Sequence, residues 1–146
     1  MEYEYFILFF LYIFFFSKKK ENFTIISNDN VIIKKHDVYG RTIYANKDYN
    51  INDIIEICPT LSDDKSNFTQ SIIKDYLFQG NQDKSVLSLG YCGLYNHRDD
   101  NNASWIVADD NSTITVYAIK DIKKGDEIMV NYGNGYWTSR PQLNKV

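Results

Sequence analysis

The chain has 146 residues, enough for one domain with a buried core and too few for two of ordinary size. Its 16 basic and 19 acidic residues leave a formal charge of -3, which argues against a broadly cationic, nonspecific nucleic-acid binder. Two cysteines, Cys58 and Cys92, exclude a disulfide framework and a four-thiolate zinc site.

The N-terminus opens with an uncharged aromatic and aliphatic run from Tyr5 to Phe16, closed by Lys18, Lys19 and Lys20. The run is shorter than the about 20 apolar residues a spanning helix needs. Glu2 and Glu4 replace the basic start of a secretory signal, and no small-residue cleavage site follows. If the run inserts, the lysines keep the rest of the chain on the cytoplasmic side. Residues 1–21 are therefore read as a hydrophobic segment and candidate membrane anchor, and 22–146 as the globular domain.

From Phe23 onward the pattern is one of short strands. FTIIS and VIIKK flank the turn residues Asn28, Asp29 and Asn30, which predicts a hairpin. TIYA and IIEIC continue the β character. Between Ser66 and Gly80, Ile72, Ile73, Tyr76 and Leu77 recur at helical spacing, and the expectation is one short helix. SVLSL follows, then SWIVAD and TITVYAI joined through the turn-rich DDNS as a second hairpin. Helices do not alternate with strands, so the expected class is α+β, mostly β. Two stretches also resemble each other at fixed spacing. Ala45-Asn46-Lys47-Asp48 leads to Asp53-Ile54-Ile55, and Ala118-Ile119-Lys120-Asp121 leads to Asp126-Glu127-Ile128. They read either as two ordinary Asp-containing turns or as paired units of one fold.

Familiar chemical motifs are missing from this sequence: there is no GxGxxG after a strand, no P-loop, no HExxH and no GxSxG. His36 and His97 do not complete a finger-like spacing with Cys58 and Cys92, so no metal is expected. What stands out instead is an ordered set of four pieces. These are YGRTIYA from Tyr39 to Ala45, GLYNHRDDNNA from Gly93 to Ala103, KKGDEIMVNYG from Lys123 to Gly133, and the pair Tyr136 and Trp137.

In this order the four pieces resemble the SET-domain protein lysine methyltransferases, over about Val31 to Trp137, and the compact length is similar to the small viral and bacterial members. The resemblance implies several short curved sheets, a knot-like threading near the C-terminus and one short helix. It also implies S-adenosylmethionine as cofactor and a protein lysine, histone-like or other, as substrate. By the same resemblance Tyr132 is the catalytic tyrosine. Arg41, Thr42, Asn96, His97, Tyr132 and Trp137 would contact the cofactor, Tyr95, Val130, Tyr136 and Trp137 would line the substrate channel, and Glu127 would brace the arrangement. Methyl transfer between sulfur and nitrogen needs the three atoms in line in a dry site, so positioning is most of the catalysis.

Some residues depart from the family pattern. Thr42 stands for the second glycine of the first motif, Arg98 and Asp99 for Ser and Cys, and Asn101 for proline, whereas Asn102 keeps the following asparagine. Val130 stands where members use Tyr or Phe to limit the methyl count, which implies that more than one methyl is transferred. The alternative to an enzyme is a catalytically degenerate SET-like module that binds a peptide or protein. A third reading is a membrane-tethered interaction protein dominated by residues 5–16. No direct nucleic-acid binding is expected, and a homodimer partner is one way to close the site. The expected location is cytoplasmic or nuclear, at the cytoplasmic side of a membrane if the N-terminal segment inserts. Asn-x-Ser/Thr triplets at Asn22, Asn67, Asn102 and Asn111 are read as chance in an Asn-rich chain, since a glycan at Asn102 would fall inside the site.

Overall fold

The computed structural model describes residues 24–37, 40–68 and 72–141. The hydrophobic N-terminal run and the anchoring role expected of it lie outside them. Among the described residues no helix is long and apolar enough to cross a membrane. The described residues form ten strands in chain order: β1 (Thr24–Ser27), β2 (Val31–His36), β3 (Gly40–Ala45), β4 (Ile54–Asp64), β5 (Leu77–Gln79), β6 (Lys84–Ser88), β7 (Asn96–His97), β8 (Ala103–Val107), β9 (Thr113–Ala118) and β10 (Met129–Val130). One short helix, α1 (Asn134–Thr138), follows them.

Strands β1, β2 and β3 form an antiparallel sheet. The Asn28 side-chain oxygen accepts from the backbone N–H groups of Asn30 and Val31, closing the β1–β2 turn as the sequence predicts. Gly40 opens β3 at φ +75°, a conformation that a side chain would strain. A second sheet has the order β5-β6-β4-β9-β8, and the long β4 serves it twice, pairing with β9 through its first half and with β6 through its second. The β8–β9 hairpin is the one expected from DDNS. Alternating side chains such as Ile55, Cys58, Ile114 and Val116 turn inward and pack with Val31, Ile33 and Ile43 of the first sheet. A disulfide between Cys58 and Cys92 ties β4 to a 3-10 turn over Tyr91–Leu94.

The two similar turn units pair with each other. Tyr49 and Ile122 exchange backbone hydrogen bonds of 2.8 and 2.9 Å. The Asp48 carboxylate accepts from the Lys124 N–H at 2.8 Å, and Asp121 accepts from the Ile51 N–H at 3.1 Å. Equivalent positions Asn52 and Gly125 both adopt positive φ, 73° and 94°. The repeat seen in the sequence is thus a reciprocal clamp between the two halves of the domain.

One expectation fails. The described parts of Ser66 to Gly80 are not α-helical: they form two 3-10 turns, Lys65–Phe68 and Ile72–Tyr76, followed by β5. The apolar spacing there does not mark a buried face, because Ile72 is 75% exposed and neither turn buries a residue. With no core contact to reward it, a helix so short has little to hold it. Among the described residues the α-helix is α1 instead.

Candidate active site

Tyr132 follows β10 and is held at both ends by the segment around β7. Its backbone N–H donates to His97 Nδ1 at 3.2 Å, and its hydroxyl donates to the Tyr95 carbonyl at 2.8 Å. β7 and β10 run in parallel, with Asn96 opposite Met129 and His97 opposite Val130, which brings those two contacts together. His97 is 7% exposed and sits edge-on to Trp137 at 4.9 Å. With Nδ1 accepting, a neutral imidazole carries its proton on Nε2, which lies 3.3 Å from an Asp99 carboxylate oxygen. Trp137 also stacks on Tyr132, with ring centres 6.1 Å apart and planes 19° off parallel.

Two clefts meet at Tyr132. The smaller, about 220 Å³, is bounded by Arg41, Asn96, Ile72 and Leu94. The larger, about 780 Å³, is walled by aromatic and aliphatic groups that include Tyr95, Phe78, Trp105 and Val130. Asp75, Tyr76, Gly93, Tyr132 and Tyr136 line both, so they form the wall between them.

The strand that delivers Tyr132 is fixed from two sides. On one, Ile128 N–H donates to the Ile43 carbonyl at 2.8 Å, and the Thr42 hydroxyl donates to the Glu127 carboxylate. On the other, the Asn102 side chain accepts from the Met129 N–H at 2.9 Å and donates to the Glu127 carbonyl at 2.8 Å. Asn96 Nδ2 donates to the Arg41 carbonyl at 2.9 Å, joining β3 to β7 at the rim of the smaller cleft.

Of the residues singled out in the sequence, Arg41, Asn96 and Tyr132 line the smaller cleft, and Tyr95, Val130 and Tyr136 line the larger. Thr42, His97 and Trp137 line neither. Thr42 is fully buried, so its β-branched side chain points at Glu127 and away from the smaller cleft. The His97 imidazole is taken up by Tyr132, Trp137 and Asp99. Sequence reasoning missed Asp75, Tyr76 and Arg140, and it assigned no role to Asn102 or Glu56. Nothing in the sequence couples Asp75 to Arg140, which lie 65 positions apart.

Several buried phenols have a shared consequence. Burial pushes the Tyr132 and Tyr95 hydroxyls well above the usual phenol range, and the Glu56 carboxylate that accepts from Tyr95 at 3.1 Å adds to the shift of Tyr95. Burial, with Glu56 and Asp53 nearby, pushes Tyr49 up to about 12. Above about pH 10 the unfolded chain releases phenolic protons that the native protein keeps, so unfolding becomes easier. Stability from these groups is fully present below about pH 10 and is lost as the pH rises toward the native values. The urea midpoint is expected to be lower at pH 11 than at pH 8; equal midpoints would mean that the phenols ionise freely in the native state.

The family model for the SET domain matches residues 40–133. A histone-lysine N-methyltransferase of Schizosaccharomyces pombe, specific for lysine-37 of histone H3, is 28% identical over 102 residues, covering 67% of this chain and 69% of that protein. The crystal structure of a Plasmodium falciparum protein provisionally classed as a histone methyltransferase superposes with a TM-score of 0.63 at 34% identity, covering 76% of this chain and 99% of that one.

Proposed function

The chain belongs to the SET-domain family, and on that footing we propose that it is a protein-lysine methyltransferase using S-adenosylmethionine. The observation that carries the reading is Tyr132, fixed at both ends in the wall that two clefts share. The smaller cleft suits the cofactor, because Arg41 offers a cation, Asn96 an amide, and Tyr132 and Tyr136 aromatic faces. The cofactor, when bound, supplies a methyl group on a positively charged sulfur. The larger cleft suits a lysine side chain, whose apolar stem matches the rings of Tyr95, Phe78 and Trp105.

Tyr132 is kept as a neutral phenol by its burial, so it positions the amine and does not remove its proton. Its hydroxyl hydrogen is committed to the Tyr95 carbonyl. That leaves the oxygen lone pairs turned to accept from the incoming amine. The incoming ammonium loses its proton more readily once the apolar walls strip it of water. Holding the amine at Tyr132, on the wall that the two clefts share, supplies the alignment that the transfer needs.

The substrate is a protein lysine, histone-like by analogy with the fission-yeast relative, and the site of action is the cytoplasm or nucleus. Val130 is 3% exposed, lines the larger cleft and has no hydroxyl to hold a water that would crowd a methylated amine. Incubation with S-adenosylmethionine and a histone mixture, followed by mass spectrometry, is expected to show lysines carrying more than one methyl. Monomethyl product alone would overturn the reading of Val130. Unmodified lysine from a folded protein would favour a peptide-binding module that has lost catalysis.

A further inference from the structure

We propose that Arg140 and Asp75 form a clasp that positions the wall shared by the two clefts, and so sets the efficiency of transfer. The inference rests on the methyltransferase reading above. Arg140 Nε donates to the Asp75 carboxylate at 2.8 Å, with side-chain exposures of 13% and 35%. Nη2 donates to the Lys74 carbonyl at 2.5 Å, and Nη1 donates to the Tyr136 carbonyl at 3.3 Å and to the Ser139 hydroxyl at 2.9 Å. The guanidinium lies over the Tyr136 ring, 4.1 Å from its centre. One planar side chain thus joins the 3-10 turn Ile72–Tyr76 to the end of α1 and covers Tyr136 from outside.

The location makes this junction matter to the chemistry. Tyr136 touches Tyr132 at 4.6 Å between ring centres, and Asp75 and Tyr136 line both clefts. The turn that supplies Asp75 buries none of its own residues, and neither does α1. Two elements with so little core contact need an outside tie to hold a fixed distance. The fork of Arg140 provides four hydrogen bonds, whereas a lysine there could not span the same acceptors in one plane. Arg140 and Asp75 are positioning residues in this scheme: they act through Tyr136 and Tyr132.

The test uses the full chain and the substitutions Asp75→Asn, Arg140→Lys and Arg140→Ala. A loosened wall is expected to lower kcat on the order of 10-fold or more in Arg140→Ala and Asp75→Asn, with a smaller drop in Arg140→Lys, which keeps the charge. The KM for a histone substrate is expected to rise less than kcat falls. A tie that only stabilised the fold would lower the melting temperature and leave kcat unchanged below it. Amide hydrogen exchange over residues 134–140 reads the clasp without any methyl transfer, and it is expected to accelerate in all three variants. Unchanged exchange, or wild-type kcat in Arg140→Ala, overturns the clasp. A wild-type protein that transfers no methyl group would defeat the methyltransferase reading instead, and the exchange measurement would still decide whether the clasp exists.

Discussion

Replacing Tyr132 with Phe is expected to lower methyl transfer on the order of 100-fold or more while the protein stays folded and still binds its cofactor. The hydroxyl is a small part of the ring's packing, and the stack with Trp137 and the contact with Tyr136 survive its loss. The fold loses one hydrogen bond, to the Tyr95 carbonyl, worth about 1 kcal/mol. The reaction loses the acceptor that orients the amine. Single-turnover rates at saturating substrate separate the two effects, because a binding defect would vanish there and an orientation defect would persist. A Phe variant as fast as wild type would remove Tyr132 from the chemistry.

The second large effect is expected at Asn102. Its amide holds the strand between Glu127 and Met129 through one accepted and one donated hydrogen bond, and that strand delivers Val130 and Tyr132. Asn102→Ala leaves the Met129 N–H and the Glu127 carbonyl unpaired in the interior, at a cost of roughly 2–4 kcal/mol. Asn102→Asp is expected to be no better. Its carboxylate can still accept from Met129, but its second oxygen faces the Glu127 carbonyl oxygen with no proton between them. Urea unfolding of both variants checks the order. If Asn102→Asp matched wild-type stability, the Glu127 contact would be unimportant. The same amide nitrogen is the acceptor of the Asn102-Ala103-Ser104 triplet, and in the fold it is committed to the Glu127 carbonyl.

Much of this was legible in the sequence, for physical reasons that differ by element. The two hairpins announced themselves because Asn28-Asp29-Asn30 and DDNS carry turn chemistry between alternating apolar runs. The paired units at Asp48 and Asp121 were visible because their turns impose the same local residues. The helix expected at Ser66–Gly80 failed because periodicity records only spacing, whereas burial decides whether a helix is stabilised; Ile72 is exposed. β7 and β10 have two residues each, too short for any pattern, and only tertiary pairing creates them. The direction of the Thr42 side chain, toward Glu127, was not legible, because the partner lies 85 positions away. The Arg140–Asp75 contact was invisible because it depends on two weakly patterned segments meeting in space.

The most direct test of the account is a calorimetric titration of S-adenosylmethionine into the wild-type protein, with Asn96→Ala alongside. The account predicts saturable one-to-one binding that weakens markedly when the amide at the cleft beside Arg41 is removed. A folded wild-type protein that takes up no S-adenosylmethionine would contradict it, because the smaller cleft would then not be the cofactor site on which the role of Tyr132 in methyl transfer depends.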